Sequence, residues 1–239
     1  MAKPFLKAAW RKLVLANYEI DPKILESYLP FGTELDFWGN KCYVSLIGFM
    51  FLNTTVKGIK VPGHVNFEEV NLRFYVKRIE VSGEVKRGVV FIKEIVPKPM
   101  ITFIANTLFK EHYVTMAMSH LWEEREHSRI VKYTWYVDES ENSILVEAQK
   151  ESKSISPNSK EFFITEHYWG YSKGKGKTSN EYEVKHPSWE VYPVKRATIN
   201  VDFGLTYGDK FEFLNQQQPA SVMLAEGSEV SVGNKRIIS

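Results

Sequence analysis

The 239-residue sequence predicts an α+β fold that is mainly β, with many strands built round a central core and two or three helices interrupting them. Three observations carry this. Aromatic residues make up 14% of the chain, and many stand in alternating stretches, which suits pleated strands better than helices. Asn66–Ile79 alternates cleanly: Val70, Leu72, Phe74 and Val76 share one face, and Glu69, Asn71, Arg73 and Tyr75 the other. Strand-like segments also follow one another without the βαβ alternation that a parallel sheet requires. With 44% hydrophobic residues and no long linker, the chain reads as one domain over residues 1–239.

Asp21–Leu29 predicts a short helix, with Asp21 as its cap and Pro22 at the first helical position. Lys41–Leu52 is apolar on both faces and predicts a central strand. Asn53–Gly63, with two glycines and a proline, predicts a loop. After a turn at Ser82-Gly83, Arg87–Val96 predicts another strand, and Pro99 opens a helix reaching Phe109. Tyr113–Met118, Arg129–Val137 and Ile144–Gln149 predict strands, with a solvated charged segment, Trp122–His127, among them. A second helix starts near Ser156-Pro157-Asn158. Asn158 and Glu161 have capping-box spacing, and helical intervals run on to Trp169. Pro187 and Pro193 make Glu181–Thr198 an edge or bent strand, and Ser221–Ile238 predicts a hairpin round Gly227.

Composition narrows the function classes. The net charge of +2 is too small to argue for nucleic acid or an anionic membrane as a partner. Cys42 is the single cysteine, so an intramolecular disulfide and a multi-thiolate zinc site are both excluded. The longest apolar run, Tyr43–Leu52, is about half a membrane-spanning helix. No apolar leader follows Met1, so a reducing cytoplasm is the expected compartment.

The familiar catalytic motifs fail on spacing. Gly174-Lys175-Gly176-Lys177-Thr178 resembles the end of a phosphate-binding loop, but Tyr171 stands where the earlier glycine is needed. The six histidines have no metal-ligand spacing, and no nucleophile elbow is present. Cys42, inside an apolar strand, reads as a small core residue. The polar row Glu69, Asn71, Arg73 and Tyr75 has two readings. A half-buried strand turns such a row to solvent. Turned inward, Arg73 and Glu69 would offer a cation and a carboxylate to a ligand.

Several segments in order resemble the YqjF-like family of uncharacterised bacterial proteins. They are Trp10-Arg11-Lys12-Leu13, Asn17-Tyr18-Glu19-Ile20-Asp21-Pro22, Leu29-Pro30-Phe31-Gly32, Tyr43-Val44-Ser45-Leu46, the run from Phe67 to Val76, Glu166-His167-Tyr168 and Val184-Lys185-His186-Pro187-Ser188-Trp189. That family is similar in fold to acetoacetate decarboxylase. The resemblance implies a β-barrel or cone round a central cavity with flanking helices. It also implies that Arg11, seven positions before Tyr18, and Glu69, in Phe67-Glu68-Glu69, line the cavity. The decarboxylases carry Gly-aromatic-Pro-Lys-Lys, whose first lysine forms a Schiff base with the substrate ketone. The matching stretch here is Lys110-Glu111-His112-Tyr113-Val114, so Tyr113 falls where the nucleophile stands. Lys110 could replace it only through a register change.

The expected function is therefore a barrel that binds a small carboxylate or carbonyl compound and lacks the Schiff-base lysine. Arg11, Glu69, Asn71, Arg73 and Tyr113 are the expected ligand-binding residues. One alternative is a lyase- or hydrolase-type enzyme acting on a keto acid in the same cavity. Its catalytic groups would be Glu69 or Tyr113 as acid or base, or Lys110 as imine former. Another is an interaction module presenting Trp122, Trp135 and Trp189. No cofactor, nucleic acid or membrane is implied, and a homo-oligomer is left open.

Overall fold

A computed structural model describes residues 3–239. Seven strands follow one another round a ring. Ser221–Val232 pairs with Leu6–Ile20, then come Cys42–Val56, Phe67–Ile79, Val85–Val96, Trp169–Lys173 and Ser179–Lys185. The last returns to the first through Val184↔Val232 and Lys185↔Ser231. Only Trp169–Lys173 lies parallel to its neighbour Val85–Val96 within this ring. The sheet is thus strongly curved round a core, as the sequence predicts.

Four more strands form a second antiparallel sheet in the order Val194–Asn200, Ser140–Ala148, Arg129–Val137 and Met118–Glu124. This sheet decides which face of the ring is inside. Val70, Leu72, Phe74 and Val76 pack with Val131, Tyr133, Trp135, Ile144 and Val146 of the second sheet. Apolar residues of the opposite face, including Leu13, Leu15, Ile47, Phe49 and Phe51, gather with Phe163, Ile164 and Trp189. The polar row of Phe67–Ile79 shares that inner face: Glu69 and Asn71 are each 2% exposed. The sheets approach closely at Gly48, where a Cβ would lie 2.8 Å from the Tyr133 ring.

Two irregularities switch which residues point inward. Lys12 has φ of 55°, and pairing with Cys42–Val56 slips between Arg11 and Val14. Trp10 and Leu13 therefore both face in, and Arg11 does not. Pairing of Phe67–Ile79 with Val85–Val96 slips between Leu72 and Arg73. Phe91 and Glu94 consequently share the inner face although they stand three positions apart.

Local chemistry explains the helices. Asp21 Oδ1 accepts the Lys23 amide over 3.0 Å and caps Pro22–Glu26. Pro99 opens Pro99–Leu108, none of whose residues is fully buried. The next helix, Lys160–Thr165, is capped by Ser159 rather than Asn158, because Ser159 Oγ accepts the Phe162 amide over 3.1 Å. It stops before Trp169, which already belongs to a strand.

Other expectations need correction too. Ser221–Val232 is one strand, not a hairpin. Gly227, with φ of 81°, lets this strand follow the Arg11–Lys12 irregularity without turning back. Trp122–His127 is largely exposed, as expected, but its first part is the end of strand Met118–Glu124, held by its pairing with Arg129–Val137. Phe203–Tyr207 and the 3₁₀ turn Asp209–Gln216 were not legible in the pattern.

Candidate functional site

Inside the curved sheet lies a cavity of about 130 Å³. That is close to the roughly 150 Å³ of an apolar cavity able to hold benzene. Most of its wall is aromatic or aliphatic, with Trp10, Phe49, Phe51, Phe67 and Trp189 on one side. Helix Pro99–Leu108 contributes Ile101, Ile104 and Ala105. Polar groups are few and concentrated.

Their arrangement follows from strand register. Asn71 is paired with Glu94, and Glu94 with Tyr113, so the three stand in one row across three strands. Glu69, two residues from Asn71, completes the group. Asn71 Nδ2 donates to Glu69 Oε1 over 2.9 Å, and the Tyr113 hydroxyl donates to Glu69 Oε2 over 3.0 Å. Asn106 fixes Tyr113 from behind: its amide bonds both the carbonyl and the N–H of Tyr113, each over 2.8 Å. Nearby, Tyr182 donates to Glu111 Oε1 over 2.8 Å.

Burial governs the charge of this cluster. It raises Glu69 to about 7, although the hydrogen bonds from Asn71 and Tyr113 and the nearby Arg73 pull the other way. It raises Glu111 to about 8 against the Tyr182 bond, and Glu69 adds to the rise. Glu94 is pushed well above the ordinary carboxyl range by burial and then by Glu111 and Glu69. Burial also raises Tyr113, which keeps its proton. At neutral pH the cavity therefore holds protonated carboxyls able to donate, beside one carboxyl poised near neutrality.

A second polar group stands behind the part of the wall that His167 lines. Asp36 Oδ2 accepts from Arg87 Nε over 2.6 Å and lies 3.1 Å from His167 Nε2. Burial alone would raise Asp36, but the bonds from His167 and Arg87 outweigh it and hold it at about 2. Burial lowers His167 in spite of Asp36. A neutral His167 facing that carboxylate carries its proton on Nε2, which leaves Nδ1 an acceptor. Five lining residues keep a buried polar atom without a protein partner: Trp10 Nε1, Asn71 Oδ1, Arg73 Nε, Glu94 Oε2 and His167 Nδ1.

The expected site residues divide cleanly. Glu69, Asn71, Arg73 and Tyr113 are brought together on the cavity wall. Arg11 is not among the lining residues; the slip at Lys12 turns it away, and its guanidinium lies 3.6 Å from Glu229. Lys110 is exposed, with φ of 59° in the turn that ends helix Pro99–Leu108. No register change rotates it inward, and no lysine lines the cavity among the described residues. Glu94, Glu111, Tyr182, His167 and His186 line the wall but were not expected there. The one available signal for Glu94 was a charged pair, Lys93-Glu94, interrupting a run of strong β-formers. Of the three tryptophans considered for a docking face, Trp135 and Trp189 are buried.

Among the described residues no three His, Cys, Asp or Glu side chains converge as metal ligands. No helix there is long and apolar enough to cross a membrane.

Comparison with known proteins adds a family and a fold. The profile of DUF2071, described as an uncharacterized conserved protein, matches residues 7–229. The uncharacterized protein YqjF of Bacillus subtilis is 25% identical over 191 residues, covering 77% of this chain and 74% of its own. An acetoacetate decarboxylase from Legionella pneumophila superposes with a TM-score of 0.66 at 10% identity, covering 100% of this chain and 88% of that one. The enduracididine biosynthesis enzyme MppR, complexed with pyruvate, superposes with a TM-score of 0.68 at 13% identity, covering 100% and 92%. At these identities the likeness to solved structures is one of fold.

Proposed function

The chain belongs to the DUF2071 family, and from that premise we propose that its cavity binds a small carbonyl or carboxylic compound through hydrogen bonds, without forming an imine. One observation carries the reading. The buried wall presents Tyr113, Glu69, Asn71 and Glu94 as one hydrogen-bonding surface, while the only lysine near the expected nucleophile position, Lys110, points away from it. A Schiff base needs a neutral amine at the substrate carbon, and this wall supplies none. A carbonyl oxygen would instead accept from a protonated carboxyl, or from Tyr113 in exchange for its bond to Glu69. Arg73 Nε, buried and unpartnered, would meet a carboxylate.

A second reading is an enzyme acting on a keto acid in the same cavity. It is favoured by the carboxyls held near neutrality, since acid–base groups work best when their pKa lies near the working pH. Cys42, buried and unpaired, suits a reducing compartment such as the cytoplasm.

The test is thermal stability against pyruvate, acetoacetate, butanoate and cyclohexanone. A ligand at about 100 times its dissociation constant stabilises the folded state by roughly 2.7 kcal/mol. For a chain of this size that is a rise of roughly 5–10 °C. We expect such a rise for at least one compound, its reduction in Tyr113→Phe, and its persistence in Arg11→Ala. No rise across the panel overturns the reading.

A further inference from the structure

We propose that this cavity catalyses proton transfer at the carbon beside a ketone carbonyl, with Glu69 as the base and Tyr113 and Glu94 as donors to the carbonyl oxygen. The inference rests on the carbonyl-binding reading above and assigns that site a reaction.

Geometry supplies the parts. Enolisation needs a base at the α-carbon, hydrogen-bond donors at the oxygen where charge develops, and little water. Glu69 sits at 2% exposure, and Asn71 and Tyr113 hold one oxygen each. These two bonds fix the carboxylate plane and leave further lone pairs free. Tyr113 reaches Glu69 from two strands away, over the strand that carries Glu94. Glu94 Oε2 is buried and has no protein partner. A carbonyl oxygen placed near the Tyr113 hydroxyl therefore also meets Glu94, while its α-carbon falls on the Glu69 side. Phe49, Phe51 and Phe67 line the cavity and would surround the hydrocarbon part of the substrate.

The step balances without a co-reactant. The α C–H bond breaks, and its proton passes to Glu69 oxygen. The electron pair of that bond forms the C=C double bond, and the C=O π pair moves to oxygen. As Glu69 takes the proton, the single hydroxyl hydrogen of Tyr113 turns from Glu69 to that oxygen, and protonated Glu94 also donates to it or gives up its proton to leave a neutral enol. Return of a proton to the same or the conjugate carbon completes a keto–enol tautomerisation or an isomerisation. Buried carboxyls with raised pKa values fit both duties, the poised base and the neutral acid.

The experiment follows deuterium uptake from D2O into cyclohexanone and pyruvate by proton NMR, with ligand saturation-transfer measured in the same tubes. We expect wild-type protein to accelerate exchange in at least one ketone above the buffer rate. Glu69→Gln should lower that acceleration at least about 100-fold while saturation transfer persists. Tyr113→Phe should lower it by about 10- to 100-fold, and Lys110→Ala should leave it unchanged. Thermal melts of each variant show that it is folded. Binding without accelerated exchange overturns this inference and leaves the binding reading standing, as does exchange that survives in Glu69→Gln. Absence of both binding and exchange overturns the two together.

Discussion

Tyr113 donates its hydroxyl proton to Glu69 Oε2 over 3.0 Å across an intervening strand, on which Glu94 stands in register with Tyr113. The bond ties the polar cluster together and pulls Glu69 down against its burial. Tyr113→Phe removes a donor and leaves the surrounding packing in place. We expect the Glu69 carboxyl to rise further above about 7 in that variant. A carbon-13 NMR titration of the Glu69 carboxyl checks it; an unchanged or lower value would mean the bond does not form in solution.

The same burial makes stability depend on pH. Glu69 and Glu111 are raised from an ordinary 4.5 to about 7 and about 8. A carboxyl raised on folding binds its proton more tightly in the native state. Below the unfolded value both states are protonated and the group contributes nothing; above it the native state loses stability, until the folded value is passed. We expect the melting temperature to fall from pH 5 to pH 9, with the part due to Glu69 and Glu111 complete above about 8. Glu69→Gln and Glu111→Gln should each flatten the decline, which calorimetry across that range measures.

Gly170 lies beneath the ring of Tyr182, and a Cβ there would collide with the ring carbons and hydroxyl. Gly170→Ala must displace Tyr182 and break its bond to Glu111. Overpacking of this kind costs about 1–3 kcal/mol. Urea denaturation should show that loss, and ligand-induced stabilisation should weaken with it, because the displaced ring belongs to the cavity wall.

Asp36 joins Arg87 and His167 at the edge of the site. Asp36→Ala leaves His167 without its partner in a fully buried position. A severed buried pair costs about 3–5 kcal/mol; Arg87 is more than one-third exposed, which reduces the expected loss to about 2 kcal/mol. Chemical denaturation checks the figure.

The sequence made some of this legible. Period-two alternation in Phe67–Ile79 identified Glu69, Asn71, Arg73 and Tyr75 as one face. It could not say which face lies inside, because that is decided by the second sheet covering Val70, Leu72, Phe74 and Val76. Arg11 was misplaced for a related reason: alternation assumes an unbroken strand, and Lys12 breaks it. Glu94 escaped notice because the slip opposite Leu72 and Arg73 reverses its direction. Glu111 was read only as a neighbour of Lys110. Backbone turning at Lys110 sends that lysine out and lets Glu111 reach Tyr182.

The central claim is binding of a carbonyl compound without imine formation. The most direct measurement incubates the protein with pyruvate or acetoacetate at a concentration that raises its melting temperature, adds borohydride, and determines the intact mass. We expect the thermal shift with no added mass in wild type or in Lys110→Ala. A stable mass increase in wild type that Lys110→Ala abolishes would contradict the account, and would require Lys110 to turn into the cavity.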